Sequence, residues 1–325
     1  MNKEIIDLMN DDILEKAGKS FSVLSGELKL IGLSQNFVYE YSKGGEEFIL
    51  RITHSSHRSE AEVKEELNFI NYLALNNLSV SKPLSSKAGN LTERIECSDG
   101  YFTIAAFIKA QGNQMSYPEF INNEGIYESC GVITGRLHAL SKKYKPSAQK
   151  RHDWTNNYYL KSIKEESFLY KEYQNIIKDL EALDKNHENY GLIHGDINVG
   201  NFFLHGDSLT LFDFDECQYS WFAEDIAIEL FYAVYVFLND SRADRGKCAE
   251  NFMKNFMKGY EGENHLEDKD LKEISLFLRL REIILYRGME ISLDMNDLNE
   301  WTRTYVSESR NRIENHIPVV ENIFY

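Results

Sequence analysis

Apolar and polar positions over residues 21–53 are spaced as in short strands. Leu28, Leu30 and Ile31 lead into the loop Gly32-Leu33-Ser34-Gln35-Asn36. Phe37 to Tyr41 reads as a second strand and Phe48 to Ile52 as a third, with Ser42-Lys43-Gly44-Gly45 as the turn between them. Ser59-x-x-Glu62 is a capping box, so a helix is predicted from Glu60 to about Leu75, with Val63, Leu67, Ile70 and Ala74 as its apolar stripe. Two further strands are predicted at Arg94–Cys97 and Tyr101–Ile108.

The pattern changes after this last strand. Ile126–Leu140, Tyr158–Leu183, Ala223–Phe237, Lys247–Tyr260, Leu271–Ser292 and Leu298–His316 carry helical apolar spacing, and Pro118, Pro146 and Pro318 fall in or near the breaks. The chain therefore reads as α+β. Residues 1–106 would form an N-terminal unit built on an antiparallel sheet, and residues 107–325 a larger, mainly helical unit.

One segment interrupts the helical part, LIHGDINVGNFFLHGDSLTLFDFDE. Phe202-Phe203-Leu204 and Leu209-Thr210-Leu211-Phe212 are strand-like, and Gly206-Asp207 is the natural turn centre between them. Such a hairpin would bring Asn201 and Asp213 to its open end, with Asp196 in the loop feeding the same end. His-Gly-Asp alone is common turn chemistry. The full spacing, H-G-D-x4-N followed by a strand pair ending in D-F-D, is far more specific. An acid, an amide and a second acid suit phosphoryl transfer: Asp196 to accept a hydroxyl proton, Asn201 and Asp213 to hold Mg²⁺ on the phosphates. His194 fits an organiser of the loop better than a proton carrier. A metallophosphatase would want a second His-rich cluster, which the sequence does not offer.

The N-terminal unit supplies candidates for the nucleotide. Gly32, Ser34 and Asn36 could present backbone N–H groups to phosphates. Arg51 is a cation inside an apolar strand, and Glu66 a carboxylate bordering an apolar helical stripe. Each wants a partner, and pairing them would aim a cation at the α- and β-phosphates of ATP. By position, backbone near Ala106, Phe107 and Ile108 could take adenine.

Composition narrows the class. The chain has 325 residues and a formal net charge of −16, which argues against nucleic acid as a partner. Cys97, Cys130, Cys217 and Cys248 are far apart, without zinc spacing, and read as reduced thiols. The start, MNKEIIDLMNDDILEKAG, is acidic and amphipathic and unlike a signal peptide. The longest apolar run, Ala227–Leu238, is interrupted by Glu229 and falls short of the about 20 residues of a membrane span. A cytoplasmic location is expected.

HGDINVGN with LFDFDE resembles the catalytic loop and metal-binding Asp of the aminoglycoside phosphotransferase and choline kinase-like family, to which type II homoserine kinases and bacterial stress-response kinases are similar. GLSQNFVYEY, FILRI, EELNFINYL, GRLHAL and AEDIAIEL extend the resemblance over most of the chain. It implies a two-lobed protein-kinase-like fold, ATP and Mg²⁺ as cosubstrate and cofactor, and a small-molecule alcohol as acceptor. It implies Asp196 as base, Asn201 and Asp213 as metal ligands, and Asp225 as a buried organiser of the loop. Arg51 stands where many relatives carry Lys. Asp215 stands third in a DFG-like triplet. Trp154, Tyr158, Asp215, Glu216, Glu282 and Tyr286 are candidate acceptor residues, and acids beside aromatics would suit a cationic acceptor. A nucleotide-binding module without turnover, or a Ser/Thr protein kinase of the same fold, are the alternatives.

Overall fold

The computed structural model describes residues 3–146, 151–206, 208–235, 242–321 and 323. They fall into two compact units. The smaller comprises residues 1–111, 144–151 and 210–215, and the larger comprises 112–143, 152–209 and 216–325.

The smaller unit begins with helices α1 (Lys3–Leu8) and α2 (Asp11–Ser20), the second capped by Asn10. Strands β1 (Lys29–Leu33), β2 (Phe37–Lys43) and β3 (Glu46–His54) follow. Gly44 and Gly45, with φ of 64° and 86°, form the two-residue turn between β2 and β3, where positive φ at both positions suits glycine. Helix α3 spans Glu60–Leu75, and the Ser59–Glu62 capping box is formed, with Glu62 accepting the Ser59 N–H at 2.9 Å. Strands β4 (Pro83–Leu84), β5 (Glu93–Glu96) and β6 (Tyr101–Ile108) complete an antiparallel sheet in the order β1-β2-β3-β6-β4, with β5 also paired to β6.

Alternation along these strands sorts side chains by face. Phe37, Tyr39, Tyr41, Leu50, Ile52, Phe102, Ile104 and Ala106 enter a core shared with Ile13, Ala17 and Phe21 of the N-terminal segment. Arg51, between Leu50 and Ile52, must therefore point to the opposite face, where α3 packs.

The larger unit contains α4 (Tyr117–Ile121), α5 (Glu124–Ser141), α6 (Tyr158–Lys161), α7 (Leu169–Glu181), β7 (Tyr190–Ile193), β8 (Phe202–His205), β9 (Ser208–Leu211), β10 (Gln218–Trp221), α8 (Phe222–Tyr235), α9 (Arg242–Tyr260), α10 (Asp268–Leu271), α11 (Ile274–Ser292) and α12 (Glu300–Glu314). The last two residues of β9 belong to the smaller unit. Helices α5 and α9 pack at glycine: a Cβ on Gly131 would lie 1.9 Å from the Phe256 carbonyl oxygen. Strands β7 and β10 pair antiparallel, Ile193 opposite Gln218, and β8 pairs with β9. The first pair carries residues 194–196 and 216 at adjacent ends, which positions the loop after β7.

The single helix predicted over Tyr158–Leu183 is two helices, α6 and α7. The polar run Lys164-Glu165-Glu166-Ser167 separates them, and the Ser167 hydroxyl takes the Leu169 N–H at 3.3 Å in place of a helical carbonyl. Strand β10 was not anticipated, because four residues of mixed polarity give no periodic signal. The turn centre at Asp207 and the predicted helix end at Phe237 lie outside the described residues.

Candidate active site

The larger unit builds its site around the turn that follows β7. The Asp225 carboxylate accepts the backbone N–H groups of His194 at 2.9 Å and Gly195 at 2.8 Å, so the first turn of α8 holds the loop. Gly195 has φ of 80°, and a Cβ there would lie 2.3 Å from the Glu216 carbonyl oxygen, which excludes any side chain. Asp225 also receives Nε2 of His138 at 3.2 Å. His138 is fully buried and stacks on Phe222 at 4.5 Å between centroids. Burial holds its imidazole below the ordinary pKa despite the pull of Asp225. A neutral ring then donates from Nε2 and accepts the Tyr260 hydroxyl at Nδ1, 2.9 Å away. Burial works to raise the pKa of Asp225, but the His138 hydrogen bond and the loop N–H groups outweigh it and hold the carboxylate below its usual range.

Asp196 follows directly. Its Oδ2 accepts Nδ2 of Asn201 at 2.8 Å, and its Oδ1 accepts Nη2 of Arg281 from α11. The same Asn201 Nδ2 donates to the Asp196 carbonyl at 2.8 Å. Both contacts use the nitrogen of the amide, which leaves Oδ1 of Asn201 as a hard oxygen donor of the kind Mg²⁺ takes. Burial pushes the Asp196 carboxyl up, and the Arg281 guanidinium opposes the shift. Arg281 is itself 8% exposed and shares Nη2 with the Tyr232 hydroxyl at 2.6 Å.

A cavity of about 390 Å³ opens beside Asp196. Its polar lining includes Asp196, Glu216, Gln218, Glu224, Tyr232 and Arg281, and Ile284, Leu285, Met289 and Leu293 of or next to α11 form its apolar side. Three carboxylates therefore face one guanidinium. Glu224 is buried and held by the Ser220 hydroxyl and by Gln218 Nε2 at 3.1 Å; burial raises its pKa to about 7. The Gln218 amide oxygen is buried without a donor.

In the smaller unit, Arg51 and Glu66 form a bidentate pair, with both N–O distances 2.7 Å, and are 5% and 0% exposed. The Arg151 guanidinium stands 3.9 Å from the same Glu66 carboxylate, and Arg51 lies 5.2 Å from the Phe107 ring centroid. The segment leading to Asp213 is tied down, since Leu211 bonds through its N–H to Ser79 at 3.0 Å and through its carbonyl to Ser81 at 2.9 Å. Asp213 is exposed and takes φ of 62°, a sharp turn for a non-glycine residue. Asp215 then turns inward and is buried. His57 Nε2 lies 2.6 Å from its carboxylate and Asn36 Nδ2 lies 3.3 Å away, while Arg58 and Arg151 donate to its carbonyl. Burial would raise the Asp215 carboxyl, but His57 and the charges of Arg58 and Arg51 hold it well below its usual range.

Several site candidates from the sequence sit elsewhere than expected. Ser34 is exposed at the bend beyond Gly32, where its loop was expected, and the Asn36 side chain, as distinct from its backbone N–H, bonds to Asp215 and to the Thr53 hydroxyl, 2.6 Å away. Ala106 and Phe107 pair with both β3 and β4, and the Ile108 N–H and carbonyl bond to Lys82 and to the Ser81 hydroxyl. Among the acceptor candidates only Glu216 lines the cavity. Trp154 packs on Trp221, Tyr158 is 40% exposed against Tyr159, Tyr286 packs on Phe168, and Glu282 pairs with Arg312 at 2.7 Å. Asp215 belongs to the smaller unit's internal network. Arg281, Tyr232, Glu224 and Gln218 were missed. One residue along a helix is about 100° of rotation, so the face of α11 that carries Arg281 differs from that of Glu282.

A small antiparallel sheet with a buried strand-cation to helix-carboxylate pair, and a larger helical part with an Asp–Asn loop, define a protein-kinase-like fold. The protein is a phosphotransferase with an alcohol group as acceptor. The chain belongs to the phosphotransferase enzyme family, whose sequence model matches residues 27–263. It is 32% identical to amicoumacin kinase of Bacillus subtilis strain 168 over 327 residues, covering 98% of this chain and 96% of that protein. The solved structure of amicoumacin kinase hAmiN in complex with AMP-PNP, Ca²⁺ and Ami superposes with a TM-score of 0.90 at 29% identity, with 98% of each chain covered. A microcompartment-associated aminopropanol kinase shares the fold, with a TM-score of 0.74 at 20% identity over 95% of this chain and 98% of that one. The protein is thus an ATP- and metal-dependent kinase of a small-molecule hydroxyl, and neither a module without turnover nor a protein-acceptor kinase gains support. Among the described residues, no helix is long and apolar enough to cross a membrane.

Proposed function

We propose that this kinase phosphorylates a small alcohol that also carries an amine, bound in the cavity beside Asp196. The observation that supports this most is the charge of the lining: among the described residues Asp196 and Glu216, with Glu224 adding charge as it ionises near pH 7, face the single cation Arg281. An ammonium group would complement the excess carboxylate, while Leu285, Met289 and Leu293 would take an apolar portion. The relatives named for amicoumacin and aminopropanol point the same way.

Asp196 accepts the proton of the attacking hydroxyl, held for that by Asn201. Asn201, through Oδ1, and the exposed Asp213 each offer a hard oxygen of the kind that would hold Mg²⁺. A bound Mg²⁺ would supply charge neutralisation for the transferred phosphoryl group. Arg51, fixed by Glu66, positions the donor phosphates, and Gly32 and Ser34 supply the loop above them. Asp225 and His194 hold the catalytic loop in shape. The four cysteines carry thiols, which suits a reducing, cytoplasmic setting.

The reading is tested by ATP consumption over a panel of amino alcohols and of the same compounds N-acetylated. Turnover with the amines and loss of turnover on acetylation is expected. Equal turnover of both forms would refute the amine requirement.

A further inference from the structure

Arg281 is an awkward residue to bury. It sits on α11 among Leu278, Leu280, Ile283 and Ile284, all buried, and is only 8% exposed. Its Nε has no hydrogen-bond partner, and a buried donor left unpaired costs about 1–3 kcal/mol. A methionine would fill the same space without that penalty. Its fixed contacts are few and directed: Nη2 reaches Asp196 Oδ1 and the Tyr232 hydroxyl, and the guanidinium lies 5.0 Å from the Tyr232 ring centroid.

These contacts hold both oxygens of the Asp196 carboxylate, and the Tyr232 hydroxyl also bears on that carboxylate directly. Asn201 Nδ2 holds Oδ2 at 2.8 Å, and Arg281 holds Oδ1. With both oxygens anchored, the carboxylate cannot rotate about its own axis, and its remaining lone pairs keep one orientation. Tyr232 restrains Arg281 in turn, through its hydroxyl, 2.6 Å from Nη2, and its ring, whose centroid lies 5.0 Å from the guanidinium. The cost of the unpaired Nε is thus set against a fixed base, not against fold stability. Misplacing a reacting group by about 1 Å can cost about 100-fold in rate.

We propose that Arg281 is a positioning residue for the transfer step, orienting the Asp196 carboxylate toward the acceptor hydroxyl, with Tyr232 fixing Arg281 in turn. The inference rests on the reading of Asp196 as the base. It requires Arg281 to act on turnover and not on acceptor affinity, although it lines the acceptor cavity.

The test compares Arg281→Met, Arg281→Lys, Tyr232→Phe and Asp196→Asn for kcat, acceptor KM and binding of AMP-PNP by titration calorimetry. Arg281→Met is expected to lower kcat about 10- to 100-fold, with acceptor KM raised by no more than about threefold and AMP-PNP binding unchanged. Arg281→Lys, which restores one donor to Oδ1, should recover part of the loss, and Tyr232→Phe should lose less than Arg281→Met. If Arg281→Met does not fold, Arg281→Lys carries the test with a smaller kcat loss. A kcat within about twofold of wild type, or a loss confined to acceptor KM, overturns the proposal. Full turnover in Asp196→Asn would instead overturn the base assignment beneath it, so the two failures are distinguishable.

Discussion

Asp225 and Gly195 meet across a hydrogen bond of 2.8 Å that the glycine alone makes possible. Gly195 adopts φ of 80° against the Glu216 carbonyl, and this turn presents its N–H to the buried carboxylate of α8. The neighbouring His194 N–H reaches the same carboxylate at 2.9 Å. A loop of three residues is thereby fixed from the helix that follows it.

Asp225→Asn keeps the size of the side chain but offers the loop one acceptor oxygen and one N–H₂ group. One loop N–H then faces a donor inside the protein. A loss of about 1–3 kcal/mol in stability is expected, with kcat reduced about 10- to 100-fold as Asp196 loosens. Urea unfolding and steady-state turnover of the variant measure the two effects. Normal kcat in a destabilised variant would show that the loop does not depend on this anchor.

Arg51→Met removes the bidentate partner of a fully buried carboxylate. Glu66 would keep only the Arg151 guanidinium, 3.9 Å away. The expected loss is toward the lower end of about 3–5 kcal/mol, with KM for ATP raised. Arg51→Lys should retain most of the stability, because one ammonium still meets Glu66. Equilibrium unfolding and ATP titration check both, and an unchanged KM for ATP in Arg51→Met would remove Arg51 from the nucleotide site.

Glu224 gives the protein a pH signature. Its carboxyl pKa is about 7 in the folded chain against an ordinary 4.5. The folded state thus holds a proton that the unfolded chain sheds above 4.5. Its contribution to stability is full below pH 4.5, declines as pH rises toward 7 and is gone above it. The decline is on the order of 3 kcal/mol. Glu224→Gln should flatten this dependence, and wild type should lose more stability than the variant between pH 5 and pH 8. Parallel curves for the two proteins would show that Glu224 does not carry the shift.

Local rules made much of the smaller unit legible. The Ser59–Glu62 box and the Gly44-Gly45 turn are decided within a few residues. The Arg51–Glu66 pair was also legible, because a cation in an apolar strand and an acid beside an apolar helical stripe each need a partner. Asp215 was not. Its closeness in sequence to Asp213 suggested the acceptor side, but positive φ at Asp213 precedes an inward turn to His57 and Arg58, distant in sequence. Arg281 was hidden differently. Flanked along α11 by Arg279 and Glu282, it reads as part of a charged helical surface, and only packing shows that it is buried against Tyr232 and Asp196. The break between α6 and α7 escaped because buried apolar residues, Leu160 and Ile163 before it and Leu169 and Ile176 after it, stand on both sides.

The central claim is that Asp196 serves as the base of a phosphoryl transfer. Asp196→Asn, assayed for acceptor-stimulated ATP turnover and for AMP-PNP binding in the presence of Mg²⁺, tests it most directly. A fall in kcat of about 100-fold or more with nucleotide binding preserved is the expected result. Turnover equal to wild type would contradict the assignment.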